Sequence, residues 1–431
     1  MLKKISLVVL FIFLIQFNCF SQININIWRA GKNVDKNNIK QAKKLYTKVL
    51  KKHPESYRAN LGMGLLLSET IEDYSSAIPY LEKVIAKQKK DTVADLIYAL
   101  SKCYQFNGQF NKAILFLNKL DNVKAFEDDN KEFKSDIAKR KIDCNYSLKN
   151  YDSTKTIKFN KMFIENLGNI INTEAPEYVP VFNKNNELIY TSKRKINKKV
   201  SLNIGEAKYG ESMFIAKYDH GKIEEVKPYS PLSNANLKSI YGKNNESVIS
   251  TTGDGKKLFV YRDGQIYETN IDELEKKNTK QLSKAINNYS YKSHAFLSND
   301  GNTLYFTSDS KKGLGGYDIY KTTKIKEGQW TAPENLGATI NTPYDEDAPY
   351  LSDDGLTLYF SSKGHEGFGG YDVYKTNFEN GKWTSPKNLG QPINSTGNDI
   401  FYILHLGSGY FSSSRSGGFG AMDIYKITYG L

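Results

Sequence analysis

Acidic runs are the first feature of this 431-residue chain whose residue types and spacing could support chemistry. One run is DED at 345–347, and DD follows at 353–354. Oxygen-rich loops can hold calcium, and two acids at a suitable separation can cleave a glycosidic bond. The spacing of an EF-hand is missing, however, and similar aspartates recur wherever a turn recurs. Turn capping therefore explains these acids, and a calcium site stays an alternative.

The sequence lacks the common motifs of catalytic and metal sites. Its histidines are His53, His220, His294, His365 and His405. None belongs to an HExxH motif or to a paired cysteine and histidine arrangement that binds zinc. Neither the phosphate loop GxxxxGK[ST] nor the nucleophile elbow GxSxG occurs. We therefore expect no metal, no cofactor and no catalytic residue, and we predict that the protein is not an enzyme.

The N-terminal residues have the pattern of a secretory signal peptide. Two lysines precede an apolar run at 7–15, and Cys19 and Ser21 fit the −3 and −1 positions of a cleavage site. Lipidation of Cys19 is the rival interpretation, but Asn18 stands where lipid processing favours a small residue. We predict that residues 1–21 are a signal peptide and that the mature chain is exported. No later apolar segment is long enough to span a bilayer.

Charge and cysteine content limit the kinds of partner and cross-link. The formal net charge is +13, but the lysines are scattered along the chain instead of gathered into one stripe. Export also argues against nucleic acid, so we predict no nucleic-acid partner. Without the leader, only Cys103 and Cys144 remain, and both fall in helical stretches. Buried thiols are expected, and one disulfide stays an alternative in an oxidising compartment.

Residues 35–153 carry apolar side chains at helical spacing and almost no glycine. The small, aromatic, apolar and proline positions that close a tetratricopeptide unit are Ala42, Tyr46, Val49 and Pro54. The small residue returns at Ala77 and Ala113, close to the 34-residue period of that family. The stretch resembles a tetratricopeptide array, which implies a groove for peptides or partner helices, with an inert spacer as the alternative. Residues 22–34 are interpreted as a linker.

Residues 155–431 change to alternating apolar and polar positions, with frequent glycine. Four related units place a turn before an alternating strand: NNELIYTSKR, DGNTLYFTSD, DGLTLYFSSK and GSGYFSSSR. A weaker fifth copy is DGKKLFVYRDG. Further strands begin at the motif GLGGYDIYK and its relatives and at a tryptophan segment such as GQWTAPENLG. Each unit is therefore predicted to be a four-stranded antiparallel sheet, which is one propeller blade.

The repeated polar and aromatic residues are predicted to be structural. The Asp-Gly pairs are interpreted as hairpin turns, the aspartates of the glycine motif as the start of a strand, and the tryptophans as filling between neighbouring sheets. These residues are Asp300, Gly301, Asp354, Gly355, Asp318, Asp372, Asp423, Trp330 and Trp383.

The two ends of this half are predicted to close the ring. MFIENLGNIINT, at 162–173, has the pattern of an outer strand whose inner strands are missing. GAMDIYKITYGL, at the end of the chain, supplies inner strands without an outer one. Joining them completes a blade and removes open sheet edges. The fold class is thus α+β and multidomain, with a helical array before a propeller of five blades, or six if 195–253 holds another.

Cations at the end of the second strand differ between blades that are otherwise similar. They are Lys193, Arg194, Lys363 and Arg415. A position that varies within a repeating scaffold is where specificity can be placed. We therefore consider a cationic binding site on one rim of the ring, with ordinary solvated charges as the alternative.

The second half is similar to the TolB-like, WD-repeat-like propellers of envelope proteins in its NLG-x-x-IN-[ST], DG-x-x-LYF-[ST]-S and GG-Y-D-[IV]-Y motifs. Helical repeats before such a propeller resemble the PorE-type proteins of the type IX secretion apparatus. Those proteins usually continue into a carboxypeptidase-regulatory-like domain and an OmpA-type domain that grips peptidoglycan. This sequence stops at Leu431, so peptidoglycan association is expected only through an OmpA-type partner.

The resemblance implies a non-catalytic protein-interaction scaffold. It would lie in the periplasm, peripherally associated with the outer membrane, and bind envelope or secretion-complex proteins of type IX secretion or gliding. The alternative is a propeller-based carbohydrate- or peptide-binding protein, or a hydrolase that uses the central pocket, because propellers also host enzymes.

Overall fold

The structure is a computed structural model whose described residues fall into two compact units, those up to 137 and those from 138 onward. The predicted signal peptide and Cys19 lie outside the described residues. None of the helices within the described ranges is long and apolar enough to cross a membrane. The described residues are 22–36, 38–87, 94–121, 131–155, 158–159, 161–194, 211–219, 222–229, 246–262, 265–271, 279–283, 286, 294–326 and 329–430.

The first unit consists of helices that pack in consecutive pairs, α1 on α2, α3 on α4 and α5 on α6. A π-helical turn, Leu66–Ile71, continues α3, and the boundary between the two units falls inside α7. The helices are α1 Gln22–Asp35, α2 Ile39–Lys52, α3 Tyr57–Leu65, α4 Tyr74–Ala86, α5 Ala94–Phe106, α6 Phe110–Leu120 and α7 Lys131–Asn150.

Small residues allow the paired helices to approach closely. Ala42, Ala77 and Ala113 lie on the second helix of each pair, and all three are fully buried. A Cβ added to Gly64 of α3 would lie 2.5 Å from Leu81 Cδ2 of α4, so only glycine fits there. The predicted helical array is therefore confirmed.

The predicted linker at 22–34 is wrong, because Gln22–Asp35 is helix α1. The isoleucines and asparagines of QININIW alternate, which is not a helical pattern. Packing on α2 overrides that local pattern: α1 contacts α2, and Ala30 of α1 is fully buried.

The described strands of the second unit form five antiparallel sheets, which are the five blades. Blade 1 is β3 Glu177–Phe182, β4 Leu188–Ser192, β5 Ser212–Asp219 and β6 Lys222–Tyr229. Blade 2 is β7 Glu246–Thr251, β8 Lys257–Arg262, β9 Gln265–Asn270 and β10 Lys280–Gln281. Blade 3 is β11 Ala295–Leu297, β12 Thr303–Ser308, β13 Asp318–Lys326, β14 Gln329–Trp330 and β15 Glu334–Asn335.

Blade 4 repeats the plan of blade 3, and blade 5 contains strands from both ends of the unit. Blade 4 is β16 Glu346–Leu351, β17 Thr357–Ser362, β18 Asp372–Glu379, β19 Lys382–Trp383 and β20 Lys387–Asn388. Blade 5 is β21 Asp399–His405, β22 Ser408–Ser413, β23 Asp423–Tyr429, β2 Met162–Asn166 and β1 Lys158–Phe159. A 3-10 turn, Ser153–Lys155, precedes β1.

Strand β2 closes the ring as the sequence predicted. It pairs antiparallel with β23, with Met162 opposite Tyr429 and Asn166 opposite Tyr425. The inner strands β3, β7, β11, β16 and β21 contact one another in that cyclic order. The propeller therefore has five blades, and the described part of 195–253 contributes strands to blades 1 and 2.

Buried asparagine side chains extend the hydrogen bonding of three blades. Asn341 Oδ1 accepts from Ile319 N at 2.8 Å, and its Nδ2 donates to Ile319 O at 2.9 Å. The same amide donates to Asn335 Oδ1 at 2.8 Å. Asn172 and Asn394 make the equivalent bonds in blades 5 and 4. One amide thus satisfies both backbone groups of a strand residue, which explains the repeated NLG-x-x-IN motif.

We expect Asn341→Ala to lower the free energy of unfolding of the propeller by about 1–3 kcal/mol, because it leaves the buried Ile319 N–H without a partner, whereas Ile319 O keeps its bond from Leu336 N. Asn377→Ala, at an exposed asparagine of β18, should change it by less than about 0.5 kcal/mol. Urea denaturation followed by tryptophan fluorescence measures both in a Trp28→Phe background, where only Trp330 and Trp383 report. Equal losses for the two variants would contradict the bridging role.

Candidate functional site

The repeated aspartates close their own glycine loops. Asp318 Oδ2 accepts from Leu314 N at 2.5 Å, and Oδ1 accepts from Gly315 N at 3.2 Å. A Cβ on Gly313 would lie 2.3 Å from Asp318 Oδ2, so the glycine makes room for the carboxylate. Asp372 and Asp423 accept from the equivalent loop N–H groups. These acids therefore accept hydrogen bonds inside the scaffold, although the buried Asp372 Oδ1 has no hydrogen-bond partner among the described residues.

The next glycines of the motif join neighbouring blades. A Cβ on Gly315 would lie 2.1 Å from Tyr344 O, in the segment that leads into blade 4. Gly316 N donates to the same oxygen at 3.0 Å, and Glu346 N donates to Tyr317 O at 2.8 Å. The glycine motif is thus the hydrogen-bonded joint between one blade and the next.

The Asp-Gly pairs and the tryptophans also have structural roles, in the hairpin turns and in the packing between sheets. Gly301 and Gly355 have φ of +72°, and the preceding Asp300 and Asp354 accept from backbone N–H groups two residues on. Two tryptophans pack against the core clusters between sheets, where blades 2 and 3 meet and where blades 3 and 4 meet. They are Trp330 and Trp383.

The two rim arginines lie against buried acids. Arg415 Nη2 lies 2.8 Å from Asp399 Oδ1, and the guanidinium also donates to the carbonyls of Pro392 and Ile393. Its side chain is 10% exposed, whereas that of Asp399 is fully buried. Arg194 pairs in the same way with Glu177 of blade 1, at 3.2 Å. Both guanidiniums are occupied by scaffold groups.

The two rim lysines are more accessible. Lys363 Nζ lies 2.8 Å from Asp345 Oδ2, and its side chain is 41% exposed. Lys193 Nζ lies 3.8 Å from Glu211 Oε1, with 47% of the side chain exposed. Each of the four predicted rim cations therefore has its own carboxylate partner. Binding of an anion by the two lysines stays a prediction.

The three acids at 345–347 have different hydrogen-bond partners. Asp345 pairs with Lys363, whereas Glu346 accepts from Thr342 N and Ser362 Oγ. Burial raises the pKa of Glu346 to about 7. Asp347 faces a histidine of blade 3 instead. The described residues contain no group of three or more histidine, cysteine, aspartate or glutamate side chains that could hold a metal ion.

The inner strands surround a central cavity of about 380 Å³. Its lining comes from all five blades, together with the hairpins that follow β3 and β7. Three lining residues at equivalent bulges have a left-handed backbone: Val179, Ala348 and Phe401, with φ of +55°, +53° and +63°. Such backbone strain persists where the surrounding structure enforces it, and it clusters at functional sites.

His294 of blade 3 lines the cavity and pairs with Asp347 of blade 4. His294 Nδ1 lies 2.8 Å from Asp347 Oδ1, and both side chains are largely buried. Burial acts to raise the pKa of Asp347, but the imidazole and the Ala348 N–H hold it below its ordinary value. None of the described hydroxyl or thiol side chains hydrogen-bonds to the His294 ring. The pair can orient a polar group.

Sequence reasoning missed this pair because its members lie on different blades. The signal that could have revealed it is the position that follows a buried acid in four blades and a serine in blade 3, because the residue at this position differs from blade to blade. The residues there are Tyr178, Ser247, His294, Asp347 and Ile400.

A second histidine lines the cavity from blade 5. The His405 ring stacks on Phe182 with centroids 3.9 Å apart and planes within 1°. Burial lowers its pKa, and the buried Nε2 has no hydrogen-bond partner in the described part of the chain. The cavity therefore combines aromatic surface, the ring of His294 and one unsatisfied imidazole nitrogen of His405, a set that suits a small ligand or a side chain of a partner.

Cys103 and Cys144, the cysteines among the described residues, are buried thiols that form no disulfide. Burial raises the pKa of Cys144 to about 12, so its thiolate is not available for nucleophilic chemistry at neutral pH.

The tetratricopeptide repeat family matches residues 27–56, which overlap α1 and α2. No curated protein matches the chain. The type III secretion translocator chaperone SycD of Yersinia enterocolitica is 15% identical with a TM-score of 0.26, covering 31% of this chain and 90% of that one. Puromycin hydrolase is 12% identical with a TM-score of 0.34, covering 58% and 38%. At these TM-scores neither likeness carries a functional argument.

We expect Arg415→Gln to lower the free energy of unfolding by about 3–5 kcal/mol, because it leaves the buried Asp399 without its partner. Lys363→Gln, which removes an exposed cation at an equivalent position, should cost less than about 1 kcal/mol. Urea denaturation of the two variants separates these roles. Similar small losses for both would show that Arg415 is an ordinary surface charge.

Proposed function

We propose that the protein is a non-catalytic scaffold of the periplasm that joins proteins of an outer-membrane complex, of the type IX secretion or gliding kind. The observation that carries the proposal is the division of roles among the polar residues. Those that repeat between blades hold the propeller together, as Asn341 and Asp318 do. The residues that differ between blades are available to bind a partner protein.

The helical unit supports a second binding role. Tetratricopeptide-type helix pairs leave surfaces that take peptides or helices of other proteins. Trp28 of α1 is 45% exposed and Leu115 of α6 is 57% exposed. Large apolar side chains of this kind anchor partner proteins. A protein with two such units can hold two partners at once.

The periplasmic location and the link to a secretion complex are inferred from the sequence. The signal-peptide pattern of residues 1–21 supports export, and the paired repeat types resemble PorE-type proteins. The partners would be envelope or secretion-complex proteins, and an OmpA-type partner would provide an indirect link to peptidoglycan.

Crosslinking in intact producing cells, followed by affinity purification and mass spectrometry, tests the proposal. We expect crosslinked peptides between this chain and outer-membrane or secretion-complex proteins, and a Trp28→Ser variant should lose those that involve the helical unit. A Tyr80→Ser variant serves as the matched control on α4. Recovery of soluble housekeeping proteins alone would contradict the proposal.

The central cavity favours a second candidate function, the binding or hydrolysis of a carbohydrate or peptide. The supporting observation is that His294, which lines the cavity, is hydrogen-bonded to Asp347 of the next blade. Under the scaffold proposal, glycans and peptides incubated with the protein remain intact, and no turnover is detected with either the unaltered protein or the His294→Ala variant. Turnover detected by mass spectrometry that His294→Ala abolishes and His53→Ala preserves would establish the enzymatic alternative.

A further inference from the structure

The glycine loops of blades 3, 4 and 5 place a large apolar residue at the same position, four residues before the repeated aspartate. These residues are Leu314, Phe368 and Phe419. Leu314 and Phe419 are each 50% exposed, whereas Phe368 is 1% exposed. One position of the repeat is therefore covered in blade 4 and uncovered in the blades on either side.

Together with Tyr151, the residue that follows the helix, the part of α7 that belongs to the second unit covers Phe368. The rings of Tyr146 and Tyr151 each lie 5.4 Å from the Phe368 ring, centroid to centroid. Tilted and edge-on aromatic contacts of this kind stabilise an interface beyond the area that they bury. The phenylalanine of the loop thus acts as an anchor for a helix.

The same helix also binds the loop backbone. Gly367 N donates to Asp143 Oδ1 at 3.1 Å, and Ser147 Oγ donates to Gly367 O at 3.4 Å. Lys139 Nζ donates to His365 O at 3.1 Å. Lys139, Asp143 and Ser147 are four residues apart, so they lie along one face of the helix. The loop of blade 4 is therefore recognised through one aromatic ring and its own peptide groups.

In blade 3 the corresponding backbone N–H, that of Gly313, is not available to a docked helix. Gly313 N donates to Ser310 O at 2.8 Å within the loop, and Lys311 and Lys312 precede the glycine. The Gly313 N–H is therefore already used within the loop. The two lysine charges would also repel a helix that carries a lysine at the position of Lys139.

Blade 5 matches blade 4 more closely. Phe419 N donates to Asp423 Oδ2 at 2.5 Å, as Phe368 N does to Asp372 Oδ2 at 2.7 Å. A Cβ on Gly418 would meet Asp423 Oδ2 and the tyrosine hydroxyl of the strand, as it would in blade 4. Gly418 is exposed, and its N–H has no hydrogen-bond partner among the residues that the structure describes. Small residues, Ser416 and Gly417, flank it.

We propose that the glycine loop of blade 5, Gly418–Asp423, is a docking site for an amphipathic helix of a partner protein. The helix carries an aspartate followed three and four residues later by tyrosine or phenylalanine and by serine, the pattern of Asp143, Tyr146 and Ser147. The aspartate accepts from Gly418 N, the serine donates to Gly418 O, and the aromatic ring covers Phe419. This proposal rests on the proposed scaffold function, and it identifies one surface through which the scaffold would bind a partner protein.

The probe for this site is the chain's own docking segment supplied as a separate, helix-stapled peptide, residues 138–152 with Cys144→Ser. A staple is needed because a helix of this length is only marginally stable alone in water. In the full chain, α7 already occupies blade 4, so the peptide is expected at blade 5. Fluorescence anisotropy with the labelled peptide measures its dissociation constant.

We expect Phe419→Ser to weaken peptide binding at least about tenfold, because it removes the aromatic anchor of the interface. Leu314→Ser, the matched change in blade 3, should leave the dissociation constant unchanged. Asp143→Asn or Tyr146→Ala in the peptide should weaken binding to the unaltered protein. Both protein variants change half-exposed side chains, and far-ultraviolet circular dichroism verifies their fold.

Equal binding to the Phe419→Ser and unaltered proteins would overturn the proposal, as would failure of the unaltered protein to bind the peptide. Sedimentation velocity tests a different occupant: a self-associated protein that Phe419→Ser converts to monomers would assign the site to a second copy of this chain and contradict the partner helix. The assay requires no envelope component, so its outcome is independent of whether the protein serves a secretion complex.

Discussion

The propeller depends on the pairing of β2 with β23, because this pairing joins the first and last strands of the ring. Without it, β23 would be an open edge that exposes unpaired backbone groups to other chains. Ile164 of β2 packs with Ile427 and Phe411 in the cluster beneath the seam, so the closure is held by apolar burial as well as by the strand ladder. The five blades share this constraint, since each contacts two neighbours in the closed ring.

Closure explains why the polar repeats are so regular. Every blade must meet the next at a similar angle, and in blades 3, 4 and 5 the joint is made by backbone hydrogen bonds of the glycine loop to the start of the neighbouring inner strand. Buried carboxylates such as those of Glu346 and Asp399 accept hydrogen bonds from the hydroxyl and N–H groups of those joints. Unique residues are confined to the cavity and to loop positions where they do not disturb the joints, as His294 and Phe419 are.

Repetition made most of this fold predictable from the sequence. The five blades, the closing strand and the helix pairs all follow from patterns that recur within the chain, because recurring geometry needs recurring residues. The helix at 22–35 was missed because packing on α2, a tertiary effect, decides its structure. The burial of Arg415 and the pairing of His294 with Asp347 were missed because each depends on groups distant in sequence or on another blade, which no local pattern encodes.

Ring closure can be tested by a disulfide across the seam. Phe163 and Thr428 lie opposite each other in the β2–β23 ladder, where cross-strand Cα separations suit a disulfide. The account predicts that a Phe163→Cys, Thr428→Cys protein forms this bond on mild oxidation and that peptide mapping finds it between 163 and 428. The control, Phe163→Cys with Ile325→Cys of blade 3, should not cross-link. No bond in the first protein, or equal bonding in both, would contradict a closed five-bladed ring.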